Sequence, residues 1–126
     1  MKSLWNATRN APAVNELETA DSPVSRAVGL LGRRALPEGR GLLITKCSSI
    51  HMFFMSFAID AVFLDGAMRV MKIAAELRPW KVASCGGARH TLELPAGWAA
   101  KAGICVGDEL VFSSERSVSA ESRMEV

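Results

Sequence analysis

The sequence predicts a mainly β fold of the α+β kind, a small antiparallel β-sandwich or barrel-like domain. Three observations carry that prediction. Short apolar runs of strand length recur along the chain, broken by Gly, Pro and Asp. Only one stretch, near residues 23–33, repeats its apolar groups with a helical period. The longest apolar run closes on Asp65-Gly66, a strong hairpin signal.

Taken in order, residues 1–10 are mixed and predict an edge strand or a loosely held end. Asn15 to Ala20 suits a strand. Asp21-Ser22-Pro23 opens a helix, because Ser22 can cap and Pro23 fits the first helical position. Val24, Ala27, Val28 and Leu31 then form an apolar stripe, and Gly32 with Arg33-Arg34 marks the expected end of this short amphipathic helix. Pro37-Glu38-Gly39-Arg40-Gly41 is a loop. Leu42 to Lys46 and Ala58 to Leu64 read as buried strands. Met68 to Ala75 is a third, with Arg69 and Lys72 on opposite faces, which predicts a bulge or an edge position. Arg78-Pro79-Trp80 and Ser84-Cys85-Gly86-Gly87 bracket a short extended piece. His90 to Pro95 alternates cleanly, with His90, Leu92 and Leu94 on the core face and Thr91 and Glu93 on the other. Gly97 to Lys101 allows one or two helical turns, and Glu109 to Phe112 is the last strand. Residues 1–113 thus form a single β-rich domain, and the polar tail 114–126 is expected to be disordered.

Bulk composition excludes several function classes. The 126 residues suit one domain, and 49% hydrophobic content suffices for a core without disulfides or a structural metal. A net charge of +2 without long basic runs argues against a nucleic-acid or anionic-membrane surface as the main function. No run approaches the length of a membrane span, and the N-terminal residues carry no apolar signal region, so neither a membrane nor a signal peptide is expected. Cys47, Cys85 and Cys105 are odd in number and widely spaced, which reads as reduced thiols in a cytoplasmic protein.

The central run from Ser48 to Gly66 places His51 and Asp60 among apolar residues, where each needs a partner. With Glu93 they could converge on one concavity as the polar floor of a ligand pocket, with Met55 in its wall and Arg26 as an anion contact. The plainer reading is a polar network that fixes the fold. Cys47 and His51 are the candidate nucleophile pair of a hydrolase; an inert buried thiol is the plainer reading, and no catalytic residue is assigned. Met52, Met55, Met68 and Met71 are soft donors of the kind Cu(I) accepts, yet core filling is their ordinary use and no spacing matches a metal motif, so no metal or cofactor is expected. Arg26, Arg33, Arg34 and Arg40 could hold an anion or simply form a solvated basic face. Trp80 and Trp98 are either groove aromatics or packed rings.

Several blocks resemble the DUF192 or UPF0127 family. They are Gly29-Leu30-Leu31-Gly32-Arg33 preceded by Arg26, Leu36-Pro37 with Gly41-Leu42-Leu43, Ser49-Ile50-His51 leading through Met55 to Ile59-Asp60, and Leu92-Glu93-Leu94-Pro95-Ala96-Gly97 with Gly107-Asp108. The chain is similar to the branch that reads Ser-Ile-His. Ser56 and Ala58 stand where the family often carries arginine and proline. The resemblance covers about residues 10–113. It implies a compact β-rich fold with short helices and no particular activity, because the family is uncharacterised. The reading is a monomer or weak dimer that binds an unknown small molecule or protein. The alternatives are a hydrolase using Cys47 or His51, and an accessory protein that acts through its surface.

Overall fold

The computed structural model describes residues 2–113, so the predicted tail lies outside the described residues. The elements run β1 (Lys2–Asn6), β2 (Ala11–Ala20), α1 (Pro23–Val28), β3 (Arg40–Thr45), β4 (Ser49–His51) and β5 (Ile59–Leu64). They continue with β6 (Val70–Leu77), β7 (Val82–Ser84), β8 (His90–Pro95), α2 (Trp98–Lys101) and β9 (Leu110–Phe112). Seven strands make one sheet in the order β6-β5-β8-β3-β2-β1-β9, while β4 and β7 pair as a separate two-stranded ribbon.

The fold is mainly β, and the sheet curls into a half-barrel rather than two stacked sheets. Its edges meet at one corner, where Val70 N donates to Asp108 O (2.8 Å) and Leu110 N to Met68 O (2.9 Å). One pair departs from the antiparallel expectation: β2 and β3 run parallel. A parallel pair needs a crossover, and α1 with the loop after it supplies one.

The curl gives the sheet two different faces. On the concave face Leu43, Leu92 and Val62 are cross-strand partners in one row, joined in a single core by Leu4, Val14 and Leu110. On the convex face Leu42, Ile44 and Ile59 pack with Leu30, Met52 and Met55, which come from the α1 loop and the segment after β4. Strand β5, second from the β6 edge, is buried along its whole length because both faces are covered. Each such large side chain contributes about 1.5–3 kcal/mol of burial free energy.

Most predicted elements stand where the sequence places them. The Asp65-Gly66 turn forms, with Asp65 Oδ1 accepting from the amides of Ala67 and Arg69 (both 2.9 Å). β6 is an edge strand, and its pairing with β5 carries two register shifts, as the opposed Arg69 and Lys72 predicted.

Two expectations are corrected. Residues 2–6 are neither an edge nor a loose end: β1 lies between β2 and β9. Asn6 Nδ2 (2.9 Å) and Arg9 Nε (2.7 Å) both donate to the Asp108 carboxylate, which fastens this strand to the turn before β9. The helix is also shorter than its stripe. Ser22 caps it in a reciprocal box with Ser25, and it ends at Gly29, whose φ of +49° and ψ of −124° suit glycine. The chain turns there, so Leu30 enters the core while Val24 (74% exposed), Val28 and Leu31 face solvent.

Candidate functional site

The candidate site is a cavity of about 140 Å³ on the convex face. Strands β3 and β8 form its floor, the end of α1 forms one wall, and the start of the β4–β7 ribbon forms the other. Ile44, Leu30, Ile50 and Met55 supply apolar surface, and Arg26, Cys47, His51 and Glu93 bring polar groups to the same space. An enclosed apolar cavity of about 150 Å³ is large enough for a benzene ring; this one is of similar volume but partly open to solvent and lined by both polar and apolar groups.

Glu93 is set there by strand register. In β8 it alternates with Leu92 and Leu94, which face the concave core, and its cross-strand neighbours are Leu42 and Ala61. It is 6% exposed. No hydrogen bond reaches its carboxyl among the described residues. Burial pushes its pKa up to about 7, against a smaller opposing pull from the Arg33 guanidinium. The end of α1 packs directly over it: a methyl built on Gly29 would stand 3.6 Å from Glu93 Oε1 and 3.9 Å from Ile44 Cδ1.

Asp60 does not join this site. It pairs with Leu94 across β5–β8, so its side chain lies on the opposite face of the sheet from Glu93. There Oδ1 accepts from Glu76 N (2.8 Å) and Gly97 N (3.0 Å), and Oδ2 from Ala99 N (2.9 Å). Asp60 thus ties β6 and the start of α2 to β5, and the expected convergence of His51, Asp60 and Glu93 reduces to His51 and Glu93.

His51 ends β4, is exposed, and stacks on Phe53 with ring centroids 4.8 Å apart and planes at 26°. It also borders a shallower cleft with Lys72 and Ser84 along the ribbon. Cys47 lines the cavity, but its thiol donates to the Ser49 carbonyl (3.1 Å) rather than to the imidazole. Its own carbonyl accepts from Thr91 Oγ1 (2.8 Å). Arg26 reaches back to the Asp21 carbonyl (3.1 Å), which engages one of its guanidinium donors. Trp80 lies away from the cavity, 58% exposed, at the end of the ribbon. Trp98 is packed instead, its indole donating to Ala13 O (2.8 Å). His90 faces the loop before β4, where its Nδ1 accepts from Lys46 N (3.3 Å), and burial holds its pKa below the usual range.

The three cysteines are free. Among the described residues no group of three or more His, Cys, Asp or Glu could hold a metal ion, and no helix is long and apolar enough to cross a membrane. Sequence reasoning missed Gly29, Leu30 and Ile44 as parts of the site. The glycine was the available signal, standing one residue after the end of α1.

Comparisons with known proteins agree with the fold. The family profile DUF192, described as an uncharacterised ACR, matches residues 5–112. A UPF0127 protein of Pyrococcus horikoshii is 35% identical over 96 residues, covering 73% of this chain and 83% of that protein. A UPF0127 protein of Thermococcus sibiricus is 38% identical over 74 residues, covering 58% of this chain and about half, 47%, of that protein. A crystal structure of a protein of unknown function from Novosphingobium aromaticivorans superimposes with a TM-score of 0.70 at 27% identity, covering 75% of this chain and 73% of that one. A Sinorhizobium meliloti protein, proposed as a transcription regulator, superimposes with a TM-score of 0.78 at 22% identity, covering 89% of this chain and 92% of that one; this likeness shows the fold alone.

Proposed function

This chain belongs to the uncharacterised DUF192 family, and from that premise we propose that it is a binding module whose convex-face cavity takes a small ligand. The ligand presents one hydrogen-bonding polar head to Glu93 and a short apolar body to Leu30, Ile44 and Met55. Arg26 and His51 give further directional contacts at the rim. In this reading the module works in the cytoplasm, its cysteines reduced, as a monomer or weak dimer.

One observation carries the reading. Glu93 is 6% exposed, opens on the cavity floor, and accepts no hydrogen bond among the described residues, with only the Arg33 guanidinium acting on it at longer range. Such a group costs free energy unless something bonds to it, and functional sites are where that cost is commonly retained. The hydrolase alternative has less support, because the Cys47 thiol bonds a carbonyl and, among the described residues, no activating base touches it.

A thermal-shift screen of the full chain with phosphate, short carboxylic acids, amides and oligosaccharides tests the proposal. A ligand at about 100 times its dissociation constant adds roughly 2.7 kcal/mol, several degrees for a domain of this size. The expected result is a shift lost in Glu93→Gln while the variant remains folded. A shift that survives both Glu93→Gln and Arg26→Ala would place the ligand elsewhere.

A further inference from the structure

We infer that the free end of the β4–β7 ribbon is a docking tip for an anionic lipid surface. Phe54 is 77% exposed and Trp80 58%, with Phe53 and Val82 exposed beside them. The rings form one convex cluster: Phe53 lies 5.8 Å and Phe54 4.9 Å from Trp80, centroid to centroid. Lone exposed apolar groups are ordinary, but a contiguous aromatic tip marks an interaction surface.

The backbone holds these rings outward at a cost. Phe54 (φ +64°) and Trp80 (φ +71°) both sit in the left-handed region, which bulky side chains avoid. The two loops are also cross-tied, Trp80 N donating to Met52 O and Met52 N to Lys81 O, each at 2.7 Å. The tip is therefore pre-shaped.

Charge selects the occupant. Residues 46–59 and 78–92, which contain the ribbon and its flanks, carry not one Asp or Glu; their cations at the tip end are Arg78 and Lys81, while Lys46 and Arg89 lie at the other end. Arg78 and Lys81 flank Trp80 along the chain, two residues before it and one after, and both are exposed. A convex aromatic wedge rimmed by cations matches the headgroup region of an anionic bilayer, where Trp and Phe enter the interface and cations meet the lipid phosphates. A single-stranded nucleic acid fits less well, because it needs a groove that tracks its backbone and the Phe54 ring is tilted 60° from Trp80. Peripheral docking departs from the expectation, drawn from the near-neutral net charge and the lack of an apolar span, that no membrane is involved: the charge that matters is local to the tip. It is independent of the cavity.

Sedimentation of the full chain with phosphatidylglycerol or phosphatidylcholine vesicles tests the inference, with anisotropy of a labelled single-stranded oligonucleotide alongside. The informative variants are Phe54→Gly and Trp80→Gly. Glycine removes the ring yet suits the left-handed backbone, so melting temperatures should hold or rise. The expected result is partitioning onto phosphatidylglycerol but not phosphatidylcholine, weakened by about tenfold or more in each glycine variant. Lys81→Ser should weaken it about fivefold, and high salt should weaken it as well. Absence of phosphatidylglycerol binding, retention of binding in the ring variants, or ring-dependent binding to the oligonucleotide alone would each overturn it.

Discussion

Asp60 and Glu93 are carboxyls buried on neighbouring strands, one on each face of the same sheet. The concave-face carboxyl accepts three backbone hydrogen bonds and closes a joint between β5, β6 and α2. The convex-face carboxyl accepts none among the described residues and opens on a cavity. Burial is nearly equal, so burial does not separate their roles. The supply of donors does: one carboxyl completes a joint of the fold, and the other faces a cavity with no donor among the described residues bonded to it.

The largest test of this contrast is Asp60→Ala. It strands the amides of Glu76, Gly97 and Ala99, and should cost about 3–5 kcal/mol in urea unfolding. A cost below about 1 kcal/mol would break the comparison.

Glu93 should behave in the opposite way, through pH. Its pKa is raised from 4.5 to about 7 by burial. Below the lower value both folded and unfolded chains hold the proton. Between the two values the folded chain keeps a proton that the unfolded chain releases, so stability falls as pH rises through this window and levels off above it. The full fall is on the order of 3 kcal/mol. Glu93→Gln should remove it, which denaturation curves at pH 5 and pH 8 would reveal; an unchanged slope would mean that another group titrates there.

The smallest expected effect on stability is that of His51→Ala. The residue is exposed, so the change should be within about 0.5 kcal/mol. A cavity ligand should nonetheless lose affinity, read as a reduced thermal shift. Unchanged affinity would confine the site to Glu93 and Arg26.

Much of this arrangement is legible in the residues. The alternation of His90 to Pro95 is enough to set Glu93 on the face opposite Leu92 and Leu94, and Asp65-Gly66 marks the β5–β6 turn. Other parts are not legible, for physical reasons. Strand β5 is apolar on both faces, so its pattern cannot show which face Asp60 occupies; pairing with Leu94 decides that. Strand β4 has three residues and belongs to a separate ribbon, too short to display a period. Phe53 and Phe54 sit in a run that reads as core, and only the left-handed turn at Phe54 puts its ring in water. The stripe of Val24, Val28 and Leu31 fails for a related reason, since the helix stops at Val28 and the geometry of Gly29 redirects the chain at Leu30 and Leu31.

The strand order has a consequence for how the molecule is made. β1 lies between β2 and β9, so a segment formed at residues 2–6 waits for residues 110–112 before its second edge is paired. A nascent chain emerging from the ribosome cannot complete this sheet until nearly all the described sequence is available. Pairings so distant along the chain raise the contact order, which places folding toward the slow, millisecond-to-second end of the range for small domains. Until then β1 presents an unpaired edge, and that interval is when the chain is most exposed to pairing with a neighbour.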